Sequence, residues 1–123
     1  MKKVLFVLLI ALFTMSCTTN KPDNSKEQGH IHLVVSLTIK PECKDELMSA
    51  LKTMVAETRK EKGCIAYYLL EKEGESNEYV LIEEWASQED LDNHGASAHY
   101  AQYKKATEGR FESSTLERAT LVY

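Results

Sequence analysis

The spacing of apolar residues switches between a two-residue and a helical period along the chain, and the order of these switches constrains the fold most. His30 to Lys40 alternates apolar with polar or smaller residues and stops at Pro41, which predicts a strand. Lys44 to Lys62 repeats apolar residues at helical spacing, with an acidic start and a basic end. This segment predicts a helix, and Gly63 is expected to supply its C-terminal stop.

A hairpin and a second helix are predicted to follow. Cys64 to Lys72 and Glu78 to Trp85 read as two strands around a five-residue turn, so they are expected to pair in an antiparallel hairpin. Ser87, with Gln and acidic residues directly after it, has the pattern of a helix N-cap. The second helix therefore begins near Ser87 and extends through His94.

The last third of the chain completes an α+β pattern. Gly95 and Ser97 are expected to interrupt the second helix before a further helical stretch from Tyr100 to Glu108, and Thr115 to Tyr123 predicts a last strand. The order β-α-β-β-α-β is that of the ferredoxin-like fold, with both helical regions on one face of the sheet. The other face is too apolar to stay exposed, so we expect a second copy to cover it in a homodimer.

The amino terminus has the features of an export signal. Met1 to Lys3 is positively charged, and the apolar run from Val4 to Phe13 is about half of the roughly 20 residues that a membrane-spanning helix needs. Residues 1–16 are therefore predicted to be a signal peptide. The small residue before Cys17 resembles the lipobox of bacterial lipoproteins, which implies cleavage before Cys17 and lipid attachment to it. The alternative is an ordinary secretory peptide in which Cys17 has no special role.

The rest of the chain divides into a tether and one domain. Residues 17–29 contain no large apolar residue and are expected to form a lipidated linker, and residues 30–123 form the folded domain. Without Lys2 and Lys3, the mature chain carries 13 basic against 19 acidic residues. This acidic balance argues against nucleic acid binding, and membrane contact is expected through the lipid anchor alone, on the periplasmic side or at the cell surface.

Several motifs of the domain resemble those of a known family. Lys40 to Glu42 closes the first strand, Lys62 to Tyr67 opens the second, and Tyr79 to Ser87 precedes a histidine, His94, nine residues after the tryptophan. This pattern, from Leu33 to Tyr123, resembles the antibiotic biosynthesis monooxygenase (ABM) domain family and, within it, the small quinol monooxygenase-like members.

The resemblance implies a dimeric α/β barrel with a pocket between sheet and helices in each subunit. Some members of the family oxygenate phenols or quinols with molecular oxygen and no flavin, haem or metal, and others isomerise sugar-derived phosphates. We expect a cofactor-independent monooxygenase acting on a small aromatic or quinol-like substrate. Export favours this activity, because reduced nicotinamides and phosphorylated metabolites are scarce outside the cytoplasm. The alternatives are an oxygen-independent isomerase in the same pocket, a lipoprotein that binds a small apolar ligand without catalysis, and, as a weaker option, haem degradation.

Five residues are candidates for the site. His94 is the expected catalytic base, since imidazole can accept a proton near neutral pH and the family pattern places it on the helix after the third strand. Its alternative role is a hydrogen bond to a backbone carbonyl at the helix break. Tyr67 and Trp85 either stack on the substrate ring or belong to the core or dimer contact. Glu83 either orients His94 or a substrate hydroxyl, or pairs with a cation across the sheet, and His99 either rims the pocket or lies at the surface.

Neither a metal site nor an intrachain disulfide is expected. His94 and His99 are five residues apart, about 140° around a single helix, and do not share a face. Cys43 and Cys64 lie at opposite ends of the first predicted helix, about 27 Å apart, whereas a disulfide needs Cα atoms within about 7 Å.

Overall fold

The computed structural model describes residues 29–123 of the chain. The predicted signal peptide, the lipidation site Cys17 and nearly all of the predicted tether lie outside these residues. Within residues 29–123, none of the helices combines the length and the apolar character needed to cross a membrane.

The domain is one antiparallel sheet of four strands with its helices packed on one face. In the sheet the strands lie in the order β2-β3-β1-β4. The α+β, ferredoxin-like fold expected from the sequence is thereby confirmed. The elements in chain order are β1 Ile31–Ile39, a single 3-10 turn Pro41–Cys43, α1 Lys44–Thr58, β2 Cys64–Glu71, β3 Glu78–Trp85, α2 Gln88–Gly95, α3 Ala98–Thr107 and β4 Phe111–Ala119.

The core lies between the sheet and α1. Burial alternates strictly along β1 from Leu33 and along β3, as the two-residue period predicts. The buried residues of α1 recur at helical spacing and face the same layer. The apolar side chains from these three elements that are buried most deeply are Leu33, Leu37, Ile39, Leu47, Leu51, Met54, Leu81 and Trp85.

Helix α1 ends four residues earlier than predicted. It stops at Thr58 rather than Lys62, and the chain then tightens, with Lys60 N–H donating to the Glu57 carbonyl at 3.1 Å and Glu61 N–H to the Thr58 carbonyl at 3.0 Å. Hydrogen bonds to the residue three positions earlier, as in a 3-10 helix, commonly tighten the last turn of a helix. Glu61 therefore lies in a turn after the helix, where it contacts His94 of α2 and His99 of α3.

Gly63 has a different role from the predicted helix stop. It lies after the turn, where its carbonyl accepts from Ala86 N–H at 2.9 Å, and the start of α2 passes directly over it. A Cβ at this position would lie 2.0 Å from Cγ and 2.1 Å from Cβ of Asp90. The absence of a side chain thus allows α2 to approach the α1–β2 turn.

Both short helices begin with a serine cap. Ser87 Oγ accepts from Asp90 N–H at 3.1 Å, which confirms the predicted N-cap of α2. Ser97 Oγ accepts from Tyr100 N–H at 3.3 Å and caps α3, which begins at Ala98, two residues before the predicted start. The predicted interruption between the two helices is confirmed, and it places His94 and His99 on different helices.

The last strand was predicted four residues too late. Strand β4 covers Phe111–Ala119 and not Thr115 to Tyr123, because its partner β1 begins at Ile31 and the register pairs His32 with Ala119. The apolar end Leu121 to Tyr123 extends beyond the sheet, with Val122 94% exposed. Gly109, with a φ of 71°, makes the turn that leads from α3 into the strand.

Candidate functional site

A cavity of about 380 Å³ opens between α2, the start of α3 and the inner face of β4. It exists because the helices cover β2, β3 and β1 but leave β4 free, so that Leu116 of β4 is 61% exposed. This volume lies within the roughly 300–1,000 Å³ of small-molecule sites. The cavity is lined by Leu33, Glu83, Leu91, Asp92, His94, Gly95, Tyr100, Leu116 and Arg118.

The sheet supplies one wall of this cavity as a continuous row of side chains. Strand pairing sets Tyr67, Glu83, Leu33 and Arg118 side by side across β2, β3, β1 and β4. Residues that pair directly point to the same face of a sheet. The row therefore runs from an aromatic ring at the covered edge, through a buried carboxylate, to a guanidinium at the open edge.

His94 is buried in the opposite wall and is held by a carboxylate. Its Nδ1 lies 2.8 Å from Oε1 of Glu61, and its side chain is 5% exposed. An ionised carboxylate only accepts hydrogen bonds, so Nδ1 carries the proton in this bond and Nε2 is left to accept one. Among residues 29–123, Glu61 is the hydrogen-bond partner of the ring, and the predicted alternative of a bond to a backbone carbonyl is not observed.

His99 lies close to the same carboxylate but lines a different cavity from His94. Its Nε2 is 2.6 Å from Glu61 Oε1 and 3.3 Å from Ser97 Oγ. The His99 side chain lines a second cavity, of about 290 Å³, between α1 and α3. His99 is not among the residues that line the cavity beside His94, whereas Tyr100 is.

The aromatic rings of Trp85 and Tyr67 form a layer that packs against the His94 ring. Trp85 is fully buried and lies 4.7 Å from the His94 ring between centroids, and Tyr67 lies at 5.9 Å. Tyr100 packs at 5.0 Å on the cavity side. The structure thus brings Tyr67 and Trp85 next to His94, but in the packed layer behind the ring rather than in the wall of this cavity.

Glu83 is a buried carboxyl group in the cavity. Its Oε2 accepts from Trp85 Nε1 at 3.0 Å, while the Arg118 guanidinium donates to Gln88 instead. Burial raises the pKa of Glu83 above its usual range, opposed by the Trp85 hydrogen bond and by the nearby His94. Burial, with Glu83 nearby, also raises the pKa of Tyr67, which stays a neutral phenol whose hydroxyl donates to Met54 Sδ at 4.0 Å.

Glu61 is the site residue that the sequence reasoning missed. The periodicity of α1 and the basic residues around Glu61 are typical of a solvated helix end. The one local signal was Gly63, which indicates that the helix ends close by but not that it ends before Glu61. The contact with His94, 33 residues away, depends on that early end.

The argument against metal binding from the spacing of His94 and His99 does not hold in the folded protein. It assumed one helix, whereas the two residues belong to α2 and α3, and their ring centroids lie 5.6 Å apart. Cys43 and Cys64 both carry free thiols in this structure.

Comparisons with known proteins agree with this fold. A protein of Bacillus subtilis named "Putative monooxygenase YcnE" is 34% identical over 70 residues, which cover 57% of this chain and 74% of that protein. "Putative monooxygenase Rv0793" of Mycobacterium tuberculosis is 37% identical over 65 residues, covering 53% of this chain and 63% of its own length.

The solved structure of Rv0793 matches with a TM-score of 0.72 at 25% identity, over 77% of this chain and 97% of that one. A structure from Bacteroides thetaiotaomicron, titled as a putative antibiotic biosynthesis monooxygenase, matches with a TM-score of 0.75 over 78% of this chain and 92% of its own. Its identity of 23% shows a common fold alone. The sequence model of the family "Antibiotic biosynthesis monooxygenase" matches residues 30–106, and the chain therefore belongs to the antibiotic biosynthesis monooxygenase family.

Proposed function

We propose that this protein is a monooxygenase that oxidises a small aromatic or quinol-like molecule with dissolved oxygen and without flavin, haem or metal. His94 acts as the base, and Glu61 positions it. The names of the relatives support the reaction class, and the cavity beside His94 supports a small substrate.

The hydrogen bond between Glu61 and His94 Nδ1 is the observation that carries this proposal. A carboxylate on one ring nitrogen fixes the ring orientation and the tautomer, and it stabilises the imidazolium that forms when the other nitrogen takes a proton. The packing of Trp85 and Tyr100 against the ring adds to this fixation. A buried, oriented imidazole in the wall of a cavity is suited to remove a proton from a bound hydroxyl group.

The substrate supplies all the electrons of the proposed reaction. His94 takes a proton from a hydroquinone, and the resulting anion passes electrons to oxygen. One oxygen atom enters the ring and the other leaves as water, so a hydroquinone and O₂ give a hydroxyquinone and H₂O. Arg118 supplies positive charge in the cavity wall for the anion, and Glu83, kept protonated more readily by burial, can donate to a second substrate oxygen.

Oxygen uptake by the purified protein with a panel of hydroquinones tests the proposal. We expect His94→Ala to lower kcat by about 10²–10⁴-fold, the usual contribution of a general base. His30→Ala is the matched control, because His30 Nδ1 also lies 2.8 Å from a glutamate, Glu84, but outside the cavity. Equal rates for wild type and His94→Ala would exclude His94 as the base.

Two experiments distinguish the proposed oxygenation from an oxygen-independent isomerase and from a binding protein without catalysis. Product that forms equally well without oxygen would identify an isomerase or another carbon-acid enzyme. A tightly retained apolar ligand in native mass spectrometry, with no product after long incubation, would identify a binding protein.

We further propose that the outer face of the sheet forms a homodimer contact. Tyr68 and Leu70 on this face are 53% and 51% exposed, and their strand partners Ile82 and Val80 continue the apolar surface. A second copy presents the same surface and covers it by symmetry. Tyr68→Glu is expected to shift the sedimentation coefficient to that of a monomer. Lys104→Glu is the control, because Lys104 is an exposed residue of α3, away from the outer face of the sheet. A monomeric wild type would contradict this proposal.

Export and lipid anchoring at Cys17 complete the proposal. They are supported by the charged start, the short apolar run and the small residue before Cys17. Expressed in a bacterial host with labelled palmitate, the wild type is expected to carry label and to sediment with membranes, and Cys17→Ser to lose both. Label retained by Cys17→Ser would exclude this site.

A further inference from the structure

Three potential metal ligands meet at one point beside the proposed catalytic cavity. Glu61 comes from the α1–β2 turn, His94 from α2 and His99 from α3, and their ligand atoms all lie within 4.8 Å of one another. We propose that these three residues bind one divalent transition-metal cation. Cation binding does not depend on the proposed oxygenation, but the site shares Glu61 and His94 with it, so its occupant acts as an inhibitor of that reaction rather than as a cofactor.

The donor set selects the class of cation. Two imidazole nitrogens and one carboxylate oxygen suit Zn²⁺, Co²⁺ or Ni²⁺, whereas Mg²⁺ and Ca²⁺ prefer oxygen ligands throughout. Three protein ligands leave a fourth position for water, as in open tetrahedral zinc sites.

The geometry of the three side chains is close to what such an ion requires. The Glu61 Oε1 atom is 2.8 Å from His94 Nδ1 and 2.6 Å from His99 Nε2, which are hydrogen-bond distances. In a tetrahedral site with bonds of about 2.1 Å, ligand atoms lie about 3.4 Å apart, so the Glu61 oxygen needs to move away from each nitrogen by less than about 1 Å. The cation takes the place of the protons that the two imidazoles share with the carboxylate.

Burial makes this cluster different from a chance grouping of surface residues. The side chains of Glu61 and His99 are 20% exposed and that of His94 is 5% exposed. The Trp85 and Tyr100 rings hold His94 in place, and the Ser97 and Thr58 hydroxyls lie 3.3 and 3.5 Å from His99 Nε2. Ligands that are already ordered lose little conformational entropy when the ion binds.

Metal occupancy and the proposed base function exclude each other at His94. A cation on Nδ1 requires the neutral ring to carry its proton on Nε2. That nitrogen then donates and cannot remove a proton from a substrate. The metal-bound form is therefore expected to be inactive in the proposed oxygenation.

Cation binding to the metal-free full chain, measured without any turnover assay, tests the inference. We expect one Zn²⁺ per chain by calorimetry, and with Co²⁺ a visible spectrum of nitrogen and oxygen ligands without thiolate charge-transfer bands. The absence of those bands excludes the cysteines. Mg²⁺ is expected to leave the Co²⁺ spectrum unchanged.

His99→Gln is the decisive variant, because His99 lies outside the cavity lined by His94 and is the ligand whose loss leaves the pair of Glu61 and His94 in place. Affinity is expected to fall about 100-fold or more, since even changes outside the ligand shell cost roughly 10–100-fold. Glu61→Gln is expected to give the same loss, and circular dichroism verifies that both variants fold.

His30→Gln provides the matched control. Within residues 29–123, the pair of His30 and Glu84 has the same 2.8 Å distance but belongs to no cluster of three potential ligands, so this variant is expected to bind Zn²⁺ as the wild type does. Zn²⁺ binding that is equally tight in wild type and His99→Gln, or absent from the wild type, would overturn the inference and leave the cluster as a hydrogen-bonded network alone.

Discussion

Two histidine–glutamate pairs in this protein have the same nitrogen–oxygen distance and different surroundings. His94 and His30 each place Nδ1 2.8 Å from a glutamate Oε1, that of Glu61 and of Glu84 respectively. The His94 side chain is 5% exposed and packs against Trp85, whereas the His30 side chain is 21% exposed at the start of the first strand. The distance between the histidine nitrogen and the glutamate oxygen is the same in both pairs. The aromatic layer, the cavity and the third ligand distinguish the first pair and make it a candidate site.

The largest effect is expected from removal of the aromatic layer that only the inner pair has. Trp85→Ala should lower the free energy of unfolding by about 3–5 kcal/mol, because it leaves a cavity under His94 and removes the donor to Glu83. His30→Ala should lower it by no more than about 1 kcal/mol, as is usual for a partly exposed ion pair. Urea denaturation measures both, and equal losses would show that burial does not distinguish the two pairs.

Gly63→Ala is expected to disturb the inner pair by displacing α2. The new Cβ would lie 2.0 Å from Asp90 Cγ, so Asp90 must move and the Ser87 cap is lost. We expect a loss of about 1–3 kcal/mol, typical of overpacking. Gly95→Ala is the control, since a Cβ there meets nothing within 4 Å. Similar melting temperatures for both variants would contradict the close approach of α2.

Glu61→Gln should lower the rate of catalysis, whereas the same substitution in the pair of His30 and Glu84 should not. Glutamine retains the size of the side chain but does not stabilise an imidazolium, so kcat for hydroquinone oxidation is expected to fall at least about tenfold, or about 1.4 kcal/mol. Glu84→Gln makes the same chemical change in the outer pair and is expected to leave kcat unaltered. A drop of the same size in both variants would show that the position of the carboxylate does not matter.

Glu83→Gln should change how stability depends on pH. Because burial raises the pKa of Glu83, the folded state holds this proton more tightly than the unfolded chain. Its contribution to stability is therefore complete below the unfolded pKa of about 4.3 and is lost as pH rises through the folded value. Urea unfolding between pH 4 and 8 should give a flatter curve for Glu83→Gln. Glu84→Gln, on the other face of the same strand, is the control for the loss of one carboxylate, and parallel curves for wild type and Glu83→Gln would contradict the effect of burial.

Much of the inner pair's environment could be inferred from local sequence. The alternation in β3 predicts that Glu83 and Trp85 share the covered face, and the position of His94 in the motif predicts a place on α2. The partner of His94 could not be inferred, since it depends on where α1 stops. Local periodicity favours a helix that continues to Lys62. In the folded protein the helix ends at Thr58, and α2 packs over Gly63 in the turn that follows.

The sequence by itself determined the order of strands and helices along the chain, the face that each presents to the core and the serine cap of α2. These features follow from side-chain periodicity and from hydrogen bonds between residues close in the chain. Only the tertiary structure decided the register of β4, the cavity that β4 leaves open, and the convergence of Glu61, His94 and His99. These depend on contacts between residues distant in the chain, where a change of four residues in a helix end decides whether a carboxylate points to solvent or to a histidine.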